Sequence, residues 1–245
     1  EIPAMTDELR RIIAELREQR TELQNLQIRR EYQDAQRIDE AITALSNTLN
    51  RNVRGANRPS VELEKWANIA LSILNDATLI KPNAPLGDDN EPTFTAPAGV
   101  PDIECYYEGF GAICEVTMLT GRDQWYNEGQ PVMRHLRSFE QANDTHENYC
   151  LFVAPRLHAD TVNTFWTAVK YEYEGQRQKI IPITITELID ILSAVRNVKA
   201  AQRAFHKEDI QRLYDRCVDI STVNDSTRWK EHIGNTINDW AAALA

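Results

Sequence analysis

The sequence predicts an α/β domain: a central mixed sheet flanked by helices, with a long N-terminal helical segment and more helices at the C-terminus. Three observations carry this. Apolar residues recur at helical spacing through residues 5–53 and again over about 186–244. Between these regions lie short runs with strand-like alternation or continuous apolar character. Helical stretches separate the later strands, as in a layered α/β core.

Residues 5–53 contain no Gly or Pro. Leu9, Ile12, Ile13, Leu16, Leu23 and Leu26 keep helical spacing, as do Ile38, Ile42, Leu45 and Leu49. This predicts one long amphipathic helix or a tight pair, packed on its own domain, because the repeat breaks near Arg30. Gly55 to Pro59 breaks the pattern. A short helix follows, with Ser60 as expected N-cap and Glu62 and Glu64 in its first turn. Residues 81–101, rich in proline and carrying Gly87 and Gly99, read as a long loop.

Asp102 to Tyr107 and Ala112 to Leu119 read as two strands of a hairpin around Glu108–Gly111. Gln124 to Phe139 is helical, with Gly129 and Pro131 expected to bend it or delay its start. Tyr149 to Ala154 is a fully apolar strand and Thr161 to Tyr173 a helix. Ile180 to Ile185 is a strand crossed by Pro182, hence an edge or a bulge. Helices follow at about 186–197, 201–219 and 226–244. The chain divides into an N-terminal helical segment (1–58), a mixed-sheet core (59–200) and C-terminal helices packed on that core (201–245).

No stretch of about 18 apolar residues predicts a membrane span. The N-terminus lacks the pattern of a secretory signal. The first residue is not Met, which suggests a fragment or an excised domain. Cys105, Cys114, Cys150 and Cys217 form no C-x-x-C pair and read as buried thiols in a reducing cytoplasm.

The net charge of −10 is unevenly spread. Residues 1–58 and 151–245 are each balanced, whereas 59–150 hold five basic and fifteen acidic residues. A segment that acidic repels phosphate unless cations occupy it. It is either a solvated face or a carboxylate metal site.

Asp102 opens the first hairpin strand, and Glu115 lies inside the second, between apolar neighbours. A buried carboxylate without a partner is costly. A shared divalent cation removes that cost, and Mg²⁺ suits oxygen ligands from one or two carboxylates. Pro101-Asp102 followed by an apolar strand carrying Glu115 fits the PD-(D/E)xK nuclease signature, with Thr117 in the place of the Lys. Glu128 follows on the next helix, with Gln124 and His135 roughly on its face and Arg134 and Arg137 beside it, where they can meet phosphate.

Pro101-Asp102, Cys114-Glu115-Val116-Thr117, Gln124-x-x-x-Glu128 and Val132-x-Arg134-His135-Leu136 together resemble the AlwI-type type IIS restriction endonucleases, a group that includes nicking enzymes. The strand Leu151 to Pro155 and the stretch Ile180 to Ile183 are similar too. The resemblance spans about residues 59–200 and implies a PD-(D/E)xK nuclease-like core. It implies Asp102, Glu115 and Glu128 as metal or catalytic carboxylates, His135 in support, and Glu64 as an upstream acid, with Glu62 two residues away. It implies Mg²⁺, with Mn²⁺ able to substitute, on Asp102 and Glu115 with the Val116 carbonyl as an extra ligand, and Glu128, in place of the Lys, either binding a second metal or orienting the water. The expected partners are double-stranded DNA and a DNA-recognition domain or large subunit, with dimerisation for double-strand cleavage and no membrane. No recognition region is evident, so the chain reads as a cleavage domain or small subunit.

Two other readings stand beside this one. Glycoside hydrolysis by paired carboxylates needs an aromatic-lined cleft, which the sequence does not show. A helical scaffold or interaction subunit would use residues 5–50 as its interface. Trp66, Trp166, Trp229 and Trp240 read as core residues, and His146, His158, His206 and His232 as structural or surface residues. Trp125 and Tyr126 lie beside the proposed site.

Overall fold

The computed structural model describes residues 2–51, 58–74, 76–87, 91–144 and 147–244. The break expected around Gly55, and His146, lie outside them. Elements are numbered in chain order. The helices are α1 (Ile2–Glu31), α2 (Ala35–Leu49), α3 (Pro59–Ile73), α4 (Gly121–Ala142), α5 (Ala159–Lys170), α6 (Ile185–Ala200), α7 (Lys207–Asp219) and α8 (Ser226–Leu244). The strands are β1 (Ala77–Pro82), β2 (Ile103–Tyr107), β3 (Phe110–Val116), β4 (Glu147–Ala154) and β5 (Ile180–Thr184). They form one mixed sheet in the order β1-β2-β3-β4-β5. The first three strands are antiparallel, and β3, β4 and β5 run parallel.

The sheet sits between helical layers. On one face Phe152 meets Phe165 of α5, and Glu115 meets His135 of α4. On the other, Phe110 and Tyr149 form an aromatic chain that reaches Tyr214 of α7. All of β4 after Glu147 is buried, as expected of a central parallel strand. Pro182 lies in β5, an edge strand, where a missing N–H is tolerated. Gly111 lets α4 approach the hairpin: a Cβ there would stand 2.8 Å from the Phe139 ring.

Several elements depart from expectation. The proline-rich segment is preceded by a strand, β1, absent from the sequence reading. Helix α3 is capped by Arg58 with Pro59 at its first position, not by Ser60, because Pro is pre-set for that place. Pro131 lies inside α4, which runs through it from Gly121. The pair α1 and α2 forms as one alternative foresaw, but only α2 packs fully on the body, through Ile38, Ala41 and Leu45. Residues 3–19 of α1 are exposed all round, so the packed-helix expectation fails for that half. Trp229 and Trp240 are buried, Trp66 and Trp166 partly so, and all four cysteines are free and buried. Among the described residues no helix is long and apolar enough to cross a membrane.

Candidate active site

The β2–β3 hairpin brings the first two carboxylates together. Ile103 pairs with Cys114. One register step further, Asp102 stands opposite Glu115, and opposed side chains share a face. Asp102 Oδ2 accepts the Val116 amide at 2.7 Å, which pins the start of β2 to the end of β3. The N–H and C=O of one strand residue project to the same edge, so the Val116 carbonyl is directed toward Asp102.

Glu115 is 5% exposed. Its Oε1 lies 2.7 Å from Nδ1 of His135, on α4. Glu128 stands two helical turns before His135, half-buried and near Thr117. Thr117 leaves the sheet beside β4, its amide donating to Val153 O at 3.0 Å and its hydroxyl accepting the Leu119 amide at 3.1 Å. The residue in the Lys position therefore shapes the turn after β3. Glu64, also 5% exposed, accepts the Ala96 amide at 2.9 Å, so the proline-rich segment reaches the site from above α3.

These acids perturb one another. Burial, then the charge of Asp102, pushes Glu64 up to about 8, against the Ala96 amide. Burial, then Glu115, raises Asp102 well above the usual carboxylate range, and Glu128 adds to this. Burial, then Glu128, raises Glu115, while the Asp102 backbone amide opposes the shift. Glu128 is raised by burial and relieved by Thr117 and His135. His135 is lowered by burial and by Arg134, opposed by Glu128, while its Nδ1 bonds Glu115.

The structure thus gathers Asp102, Glu115, Glu128, His135 and Glu64 at one end of the hairpin. Glu64 rather than Glu62 points inward, while Glu62 accepts from the Trp66 indole. Among the described residues no three His, Cys, Asp or Glu side chains are already set around a common point as metal ligands. The donor set is of the hard-oxygen kind that Mg²⁺ takes.

Arg137 is a correction: its guanidinium is buried and holds Glu140, Gln176 and the Tyr173 carbonyl, so it anchors α4 and is not turned to phosphate. Arg134 is exposed. Trp125 is tied to Thr164 of α5 through its indole N–H, and Tyr126 is exposed.

Sequence reasoning missed the work of Gln124. It is fully buried, donates to the carbonyls of Leu119 and Arg156, and accepts the His158 amide. It locks together the loops after β3 and β4, at the carboxyl ends of parallel strands where α/β sites form. Its spacing of four from Glu128 was the only signal.

The family model described as AlwI restriction endonuclease matches residues 1–191. No curated protein sequence matches the chain. Among solved structures, the chain is similar to the small subunit (R.BspD6I2) of the heterodimeric restriction endonuclease R.BspD6I. The TM-score is 0.64 at 17% identity, covering 84% of this chain and 97% of that one. At that identity the likeness is one of fold.

Proposed function

This chain belongs to the AlwI restriction endonuclease family, and on that premise we propose that it is a Mg²⁺-dependent nuclease that hydrolyses DNA phosphodiester bonds. One observation carries the reading: Asp102 and Glu115 face each other across the end of one hairpin, Glu115 and Glu64 are buried, and Glu115 is bonded to His135. Structural acids are seldom buried against each other without a counter-charge.

Asp102, Glu115, Glu128 and the Val116 carbonyl would hold the cation, with Mn²⁺ able to replace Mg²⁺. When bound, such an ion polarises a non-bridging phosphate oxygen and lowers the pKa of a water for in-line attack. The chain's own residues do the rest. Asp102 fixes the Val116 backbone. His135 Nδ1 bonds Glu115 Oε1 and sets that carboxylate's rotamer. Thr117 holds the turn that leads to the Glu128 helix, and Glu64, raised to about 8 by burial and Asp102, stands behind Asp102 and ionises only with a counter-charge beside it. Arg134, exposed beside His135, is placed to meet a phosphate.

The acidic site region suits a cleavage subunit or domain that another element brings to DNA. The structural neighbour, itself a subunit of a heterodimer, agrees with this. The test is conversion of supercoiled plasmid to open circle with Mg²⁺ or Mn²⁺, abolished by chelation and by Asp102→Ala. A chain that leaves plasmid intact with either metal, alone and beside a DNA-reading partner, is a scaffold subunit instead.

A further inference from the structure

An exposed aromatic ring and an unpaired cation stand together at one edge of the candidate site. Phe94, in the proline-rich segment, is 54% exposed. The guanidinium of Arg58, just ahead of α3, lies over its ring, 5.6 Å from the centroid. The backbone fixes Phe94 on both sides. Thr93 gives its amide and its hydroxyl to the Pro85 carbonyl, at 2.9 and 3.1 Å, and the Ala96 amide is bonded to Glu64. The ring is therefore set in place and not carried by a loose loop. Stacking occupies one face of the guanidinium plane and none of its five N–H donors. Lys65, Lys81 and Arg137 are each paired with a carboxylate, of Glu91, Glu104 and Glu140. Among the described residues no carboxylate pairs with Arg58, which is exposed.

The acids of the site run in a row away from this pair. Glu64 on α3 lies within electrostatic reach of Asp102, Asp102 faces Glu115, and Glu115 is bonded to His135 on α4. Arg134, exposed, follows at the α4 end. Phe94 and Arg58 stand at the α3 end, with Phe94 two residues, about 7 Å of chain, from the Ala96 amide. An anionic chain that reaches both arginines crosses the carboxylates between them.

We propose that Arg58 and Phe94 grip the DNA strand being cut, Arg58 on a phosphate and Phe94 against the base step beside it. That the strand is one to be cut rests on the nuclease reading. The chemistry of the pair selects nucleic acid. An acidic peptide satisfies the arginines and leaves the ring with nothing to stack on. A polynucleotide supplies both, a phosphate for the guanidinium fork and an aromatic face for Phe94. In a duplex, a phenylalanine of this kind acts as a wedge at a base step. Residues 59–150 hold five basic residues against fifteen acidic, so a phosphate nears the site only where a cation is left unpaired.

The test is equilibrium binding of the full chain to fluorescent DNA, with Ca²⁺ in place of Mg²⁺ and salt raised from on the order of 10 mM. Two probes are compared, an intact duplex and the same duplex with a short single-stranded gap that exposes base faces. The wild-type chain should bind the gapped probe about fivefold tighter or more, the worth of one stacked base. Phe94→Ala should bind both probes alike, and Phe94→Tyr should keep the preference. Arg58→Ala should lower the slope of log affinity against log salt by about one, and Arg58→Lys should retain it. Both side chains are exposed, so helical circular dichroism should be the same in all variants. A purely structural brace would move neither the slope nor the gap preference. Absence of wild-type binding at low salt, an unchanged slope in Arg58→Ala, or a gap preference that survives Phe94→Ala overturns the proposal. Binding is read without cleavage. A chain that shows this signature and nicks with no metal rejects the nuclease reading alone, and a chain that nicks while both alanine variants bind as wild type rejects this one alone.

Discussion

Asp102 is bonded to the strand it faces: its Oδ2 accepts the Val116 amide, the N–H next to Glu115, at 2.7 Å. The carboxylate therefore has two separable jobs, an acceptor that closes the hairpin and a negative charge beside Glu115.

Asp102→Asn separates them. The amide oxygen still accepts from Val116, so the thermal midpoint should hold or rise as the repulsion with Glu115 disappears. Mg²⁺ binding in calorimetry and plasmid nicking should both fall below detection. Metal binding equal to wild type would move the cation site elsewhere.

Thr117 stands where the nuclease pattern has Lys, and its hydroxyl accepts the Leu119 amide. Thr117→Ala loses one local bond and no ligand, so the nicking rate should fall by about tenfold at most. Glu115→Ala and Glu128→Ala should each lose all measurable cleavage. Complete loss in Thr117→Ala would show that its hydroxyl acts directly on the substrate.

The hairpin and its two acids were legible because alternation and a Gly-rich turn fix register, and register decides that Asp102 meets Glu115. Strand β1 was not. Its pairing slips between Ala77 and Leu79, so burial along it falls every third residue and no period of two appears. Apolar periodicity in α1 showed which face is greasy, not what covers it. Glu62 and Glu64 look equivalent in sequence, and only the Ala96 amide and the position of Asp102 single out Glu64. Arg137 read as a phosphate contact because the turn from Tyr173 to Gln176 that buries it is distant in sequence.

The raised carboxylates make a pH prediction. Glu64 titrates near 8 in the fold, and Asp102, Glu115 and Glu128 are also shifted up. The metal-free folded chain thus binds more protons than the unfolded one, and stability is lost as pH rises through the folded-state values. From pH 6.5, above the shifted His135, to pH 8, the thermal midpoint should fall by several degrees, at about 2–4 °C per kcal/mol for a chain of this size. Mg²⁺ binds the ionised acids, so it should stabilise more at pH 8 than at pH 6.5. Equal stabilisation at both would place the ion away from these groups.

DNA affinity should be weak. Non-specific binding rests on releasing counterions from phosphates, and a chain of net charge −10 with its acids gathered at the site can release few. Band-shift assays with short duplexes should show little binding and no sequence preference. Fusing the chain to a sequence-reading domain raises the local concentration of the site at one locus and should direct cutting there. One carboxylate site attacks one strand at a time. A single tethered copy should therefore nick before it breaks both strands. The experiment follows a supercoiled plasmid with one tethering locus over time. Linear product appearing with no open-circle precursor, at protein concentrations too low for dimers, would end the one-site, one-strand account.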